Sequence, residues 1–117
     1  MYKKILFISV GAALFFTGCA PKKSLLYSWS NYDNTSYTYL KKGDEASTAN
    51  LIKSYRQMIE RQTGTRRTVP PGIYADYGFL LLQSGNTEEG KAMLSKEISL
   101  YPESKVFIES ILKMFEQ

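Results

Sequence analysis

The fold turns on residues 74–102, YADYGFLLLQSGNTEEGKAMLSKEISLYP. Tyr74, Tyr77, Gly78 and Leu81 recur at steps of three and four, which places them on one face of a helix from Gly72 to Gln83. Ser84-Gly85-Asn86 reads as a turn, because glycine accepts the left-handed backbone that ends a helix. Asn86, with Glu89 three residues later, has the form of a capping box that opens a second helix. Leu94, Ile98 and Tyr101 form the apolar side of that helix, and Pro102 ends it. The small residues Gly78 and Gly90 would let the two helices approach closely. The expected unit is an antiparallel helical hairpin.

The flanking sequence extends the same pattern. After Pro102, a final helix from Glu103 to Glu116 is expected to bury Phe107, Ile111 and Phe115. Before Gly72, the stretch TGTRRTVPP (63–71) is a loop, since two prolines and a glycine stop a helix and reset its direction. Arg66 and Arg67 at its tip read first as solvated charge and second as an anion or partner contact. A helix from Asp44 to Gln62 precedes it, with Asp44 as its cap. Ile52, Tyr55 and Ile59 mark its apolar face, flanked by Leu51 and Met58. A first helix from Ser30 to Lys41 is rich in tyrosine but weak in propensity, and Gly43 breaks it. The fold class is therefore all-α.

Residues 74–102 resemble the tetratricopeptide repeat, a helical hairpin of about 34 residues with bulky and small residues at fixed offsets. Those offsets fall on Tyr74, Tyr77-Gly78, Leu81, Gly90, Leu94 and Pro102. Aligning Gly43 with Gly85 gives an earlier, degraded copy, with Tyr32, Ser36, Tyr39 and Thr48 at matching places. The expectation is about one and a half repeats with the final helix as a cap, since solenoids need capped ends. A generic antiparallel bundle is the alternative. In tetratricopeptide domains the first helix of each repeat lines a peptide groove. The resemblance carries that groove onto Ala75, Phe79, Leu82 and Gln83, and onto Asp33, Tyr37, Leu40 and Lys41. The competing reading packs Phe79 and Leu82 against the next helix.

The N-terminus carries a different signal. Met1-Tyr2-Lys3-Lys4 is a short positive region, followed by twelve apolar or small residues, Ile5 to Phe16. That run is too short to span a bilayer, which takes about 20 residues, and suits the core of a signal peptide. Phe16-Thr17-Gly18-Cys19 resembles the lipobox of bacterial lipoproteins, with Phe16 where leucine is usual. The alternative is an ordinary signal peptide that contains a cysteine. The resemblance implies cleavage between Gly18 and Cys19, and lipid attachment at Cys19, the only cysteine in the chain. Residues 1–18 are then the signal, 19–28 a lipidated tether and 29–117 the helical domain. By analogy with lipoprotein sorting in Gram-negative bacteria, where an aspartate after the cysteine favours the inner membrane, Ala20 implies the outer membrane facing the periplasm for a chain from such a source.

The lipobox, Leu26-Tyr27-Ser28-Trp29 and Pro70-Pro71-Gly72-Ile73-Tyr74 resemble the domain-of-unknown-function family 4810 of short bacterial lipoproteins. The resemblance implies a periplasm-facing lipoprotein working beside lipoproteins similar to the curli secretion channel, and no enzymatic activity.

The chemistry legible in the sequence is sparse. There is no histidine, which removes the commonest general base and metal ligand, and one cysteine cannot form an internal disulfide. Glu88 and Glu89 are adjacent and suit the positive end of a helix better than a catalytic pair. No phosphate loop, metal cluster or nucleophile–base pair is marked, and no catalytic residue, metal or cofactor is expected. Without Lys3 and Lys4 the chain carries 13 basic and 11 acidic residues, too even a balance for a nucleic-acid surface. The leading expectation is a lipid-anchored adaptor that binds another envelope protein. A structural lipoprotein without a dedicated partner is the alternative, and an enzyme acting on the envelope is the third reading.

Overall fold

The computed structural model describes Gly18, Cys19 and residues 24–117. The expected signal peptide up to Thr17, and Ala20, Lys22 and Lys23 of the expected tether, lie outside the described residues. The described chain is all-helical: α1 (Tyr32–Lys42), α2 (Glu45–Glu60), α3 (Ile73–Gln83), α4 (Thr87–Leu100), a 3-10 turn (Pro102–Ser104) and α5 (Lys105–Phe115). Two hairpins, α1–α2 and α3–α4, stand side by side, and α5 closes against α3 and α4.

α1 contains few good helix formers, so its stability comes from packing. The Thr35 hydroxyl donates to the Ser54 hydroxyl of α2 (2.9 Å), and Thr35 is buried. Lys41 and Lys42 in the last turn suit the negative end of the helix dipole. Asp44 caps α2 by accepting from the Ser47 amide (2.8 Å). The inward face of α2 differs from the expected one. Ser47, Leu51, Ser54, Tyr55 and Met58 are buried, whereas Ile52 and Ile59 are only half-buried. The two serines let α1 come close, and their small polar side chains hide that face from a hydrophobic pattern.

α3 is the central helix. Ile73, Tyr74, Ala75, Tyr77, Gly78, Leu80, Leu81 and Leu82 are all buried, as befits a helix that is apolar around most of its circumference. One side joins Leu51, Tyr55, Met58 and Val69 in a core beneath α1 and α2. The other joins Leu94, Ile108 and Ile111 in a second core beneath α4 and α5. The α3–α4 crossing is close: a Cβ built on Gly78 would lie 2.8 Å from the Gly90 carbonyl oxygen, and one on Gly90 would lie 2.9 Å from that of Gly78. The turn after α3 satisfies its last carbonyls through Asn86 N–H to Leu81 O (2.9 Å) and Gly85 N–H to Leu82 O (3.1 Å), with Gly85 at φ 84°.

The capping box at Asn86 does not form, since the Asn86 side chain makes no cap hydrogen bond. Glu89 is engaged elsewhere. Its carboxylate accepts from the Tyr77 hydroxyl (3.2 Å), which in turn accepts from Arg56 Nε (3.1 Å), so one chain of bonds ties α2, α3 and α4. The last helix is also turned from its expected register. Ile108 and Ile111 are buried, whereas Phe107 is 62% and Phe115 42% exposed.

Residues 24–28, expected in the tether, are docked on the α2–α3 loop. The amides of Thr65 and Arg66 donate to the carbonyls of Leu25 (2.9 Å) and Leu26 (3.1 Å). The Gln62 side chain accepts the Ser28 N–H (2.6 Å) and donates to the Ser28 carbonyl (3.0 Å), filling the place of a neighbouring strand. Gly64 lies against Leu26 and Tyr27 so closely that a Cβ there would stand 2.5 Å from the Tyr27 Cα.

Candidate functional site

A groove of about 350 Å³ opens between α1 and α3. Its α1 wall is Tyr32, Ser36, Tyr39 and Leu40, its α3 wall Asp76, Phe79, Leu80 and Gln83, and Leu51 and Tyr55 of α2 form the floor. The α1 residues recur at steps of three and four because they flank the stripe that meets α2. A second hollow of about 340 Å³, lined by Ala75, Asp76, Phe79, Phe107, Ile111 and Met114, lies on the α5 side. Asp76 and Phe79 border both, so one apolar surface runs from α1 across α3 to α5. A larger hollow between α1 and α2 (about 560 Å³) is lined by Asn, Thr, Ser, Gln and Lys53, and lacks apolar anchors.

Asp76 supplies the only charge in the groove. Its Oδ2 accepts from the Tyr32 hydroxyl (3.2 Å). Asp76 as a whole is exposed, and it lines the groove together with Tyr32, Tyr55 and Phe79. Burial raises its pKa above the ordinary 3.8, and the Tyr32 bond opposes that shift. The effect is mutual. Burial, and then the negative charge of Asp76, push the Tyr32 and Tyr55 hydroxyls up, so both stay protonated. Tyr55 stacks on Tyr77 (centroids 5.3 Å apart) and meets Tyr32 (5.7 Å), which meets Trp29 (5.9 Å). This ladder fixes the groove floor and joins it to the docked N-terminal segment.

A carboxyl whose pKa is raised by folding stabilises the fold fully below the unfolded value, and loses that contribution as pH rises through the folded value. At neutral pH the ionised Asp76 is thus a local cost. Asp76→Asn keeps an acceptor for Tyr32, and we expect it to raise the melting temperature at pH 7. The gain should shrink as pH falls and vanish below about 3.8. Thermal unfolding followed by circular dichroism from pH 3 to 8 measures this, and a gain that is independent of pH would contradict it.

The residues expected to contact a partner separate in the structure. Phe79, Gln83 and Leu40 line the groove, and Leu40 is 82% exposed. Asp33 and Tyr37 are exposed on α1 but lie outside the groove lining, and Lys41 is likewise absent from it. Leu82 is buried, with its Cγ 2.9 Å from where a Gly90 Cβ would stand, and Ala75 belongs to the same core. The groove residues that the tetratricopeptide resemblance did not mark as groove positions are Tyr32, Ser36, Tyr39, Leu51, Tyr55, Asp76 and Leu80. Of these, Asp76 had a signal: it is the one acidic residue in the apolar stretch Ile73–Gln83. Gly18 and Cys19 are both exposed. Among the described residues, no three His, Cys, Asp or Glu side chains gather as a metal site would require.

A protein-family model described as a domain of unknown function, DUF4810, matches residues 26–111. The match begins in the docked N-terminal segment and ends within α5. No curated protein and no solved structure matches the chain.

Proposed function

Since the chain belongs to the DUF4810 family, whose description assigns no function, we propose that it is a lipid-anchored adaptor of the bacterial envelope. It faces the periplasm and binds another envelope protein in the α1–α3 groove. The observation that carries this reading is the groove itself: an open hollow whose walls are the half-buried Tyr32, Tyr39 and Phe79 and the exposed Leu40, around a single carboxylate. Apolar anchors with a polar rim are the usual anatomy of a binding interface. The matching partner segment presents apolar side chains and a lysine or arginine for Asp76, whose ionised form gains most from a cation in a partly desolvated site. The paired hairpins and the close crossing at Gly78 and Gly90 support a tetratricopeptide-like reading, in which the first helix of each hairpin lines the groove. The Gly18-Cys19 junction supports anchorage at Cys19, and lipoproteins similar to the curli secretion channel are the partners the family resemblance favours.

The test compares the wild-type lipoprotein with Phe79→Ser and Gln83→Ala in pull-downs from gently solubilised envelopes. A stoichiometric partner should be recovered by the wild type. Loss of an interface anchor typically costs more than 1 kcal/mol, so Phe79→Ser should lower recovery about tenfold. Leu40→Ser alters only an exposed groove side chain and provides an arm in which folding is not at stake. Equal recovery by all variants would move the partner off this groove, and no recovery by the wild type would favour a structural lipoprotein without a dedicated partner.

A further inference from the structure

We propose that the edge formed by residues 24–29 and the α2–α3 loop is a membrane-contact surface that lies on an anionic phospholipid bilayer. The inference rests on the anchorage at Cys19 proposed above. Residue 24 follows Cys19 by five Cα steps, so even a fully extended chain keeps Ser24 within about 18 Å of the lipid-bearing residue. This edge cannot leave the neighbourhood of the bilayer. Its side chains suit that position. Leu25 is 68%, Leu26 57% and Trp29 41% exposed, although the backbone beside them is held by Thr65, Arg66 and Gln62. Leucines fixed outward on a docked segment are not the residues of a solvated linker. Tryptophan and tyrosine favour the headgroup level, where one end is apolar and the other wet.

Charge points the same way. Residues 24–30 and 61–68 contain Arg61, Arg66 and Arg67 and no acidic residue. Arg66 is held over the Tyr27 ring (5.9 Å), which aims a cation along the same edge. Lys22 and Lys23 lie in the sequence between this edge and Cys19. Setting those five cations aside leaves eight basic against eleven acidic residues in the rest of the mature chain. The positive end therefore faces the anchor, and the rest, including the groove, carries net negative charge. An anionic surface attracts the first and repels the second, which orients the domain and turns its groove away from the lipid.

Trp29 is the only tryptophan in the chain, so its fluorescence reports on this edge alone. The lipidated protein is reconstituted into phosphatidylethanolamine–phosphatidylglycerol vesicles, and detergent-phase partition is measured separately to read the anchor. We expect Trp29 emission to move to shorter wavelength, to be quenched by brominated acyl chains and to be shielded from acrylamide. Each basic residue near an anionic surface shifts the contact equilibrium by roughly fivefold. Arg66→Ser with Arg67→Ser should therefore lower the quenching severalfold, to the level seen in phosphatidylcholine vesicles. Raising the salt concentration on the wild-type protein should do the same without any substitution. Anchored protein whose Trp29 stays open to acrylamide and unquenched by bromolipid overturns the surface while leaving the anchor standing. Protein that stays in the aqueous phase overturns the anchorage, and the surface with it.

Discussion

Gly78→Val should cost more than about 3 kcal/mol of folding stability and lower the melting temperature by roughly 15 °C or more. The cause is local and steric. The first added carbon alone would stand 2.8 Å from the Gly90 carbonyl oxygen and 2.9 Å from the Leu94 Cγ. Leu94 can rotate, but the carbonyl is backbone on the opposite helix, so relief requires α3 and α4 to move apart. That motion would open the core of Ala75, Leu82, Leu94, Ile108 and Ile111. Glycine normally weakens a helix interior by about 1 kcal/mol relative to alanine, so Gly78→Ala regains part of its clash and should cost less. Thermal unfolding of the two variants separates these effects. A melting temperature unchanged in both would mean that the helices do not cross at this pair.

The same pair shows how much could be read from the chain. Gly78, Gly85, Gly90 and Pro102 act through backbone geometry within one hairpin, and their spacing makes that hairpin legible. The inward face of α2 was harder to see, because Ser47 and Ser54 are buried for their size rather than their hydrophobicity. The register of α5 is not fixed by spacing because its apolar face is broad, and α3 and α4 cover only part of it. Ile108 and Ile111 meet α3 and α4, and Phe107 and Met114 are left to line a hollow. In the groove, Phe79 and Gln83 are the positions that the tetratricopeptide resemblance implies on α3. Leu82 did not go with them, since Gly90 leaves a gap that the Leu82 side chain fills. Tyr32 and Asp76 are 44 residues apart, and Gln62 meets Ser28 across 34. No local pattern encodes such pairs. They exist because the two hairpins stand side by side and the loop folds back over the N-terminal segment.

Glu97→Ala should cost about 3 to 5 kcal/mol, whereas Glu97→Gln should stay within about 2 kcal/mol of the wild type. Glu97 falls on the face of α4 set by Gly90 and Leu94, at steps of four and three, and is completely buried. Its Oε1 accepts the Gly72 N–H at 2.7 Å, and Oε2 has no partner among the described residues. Gly72 caps α3, where the first backbone amides have no partner within the helix and the dipole favours an acceptor with negative charge. The carboxylate thus fastens the start of the central helix to the middle of its neighbour. Alanine removes that acceptor, strands a partly buried amide and leaves a void. Glutamine preserves the volume and presents a carbonyl to Gly72. Its amide group, placed where Oε2 stands, becomes a buried donor without a partner, but a full charge no longer has to be held out of water. These two changes oppose each other, so the net effect should be small. Urea unfolding of both variants measures the difference. If glutamine proves as costly as alanine, the charge itself, rather than the acceptor and its volume, holds the start of α3.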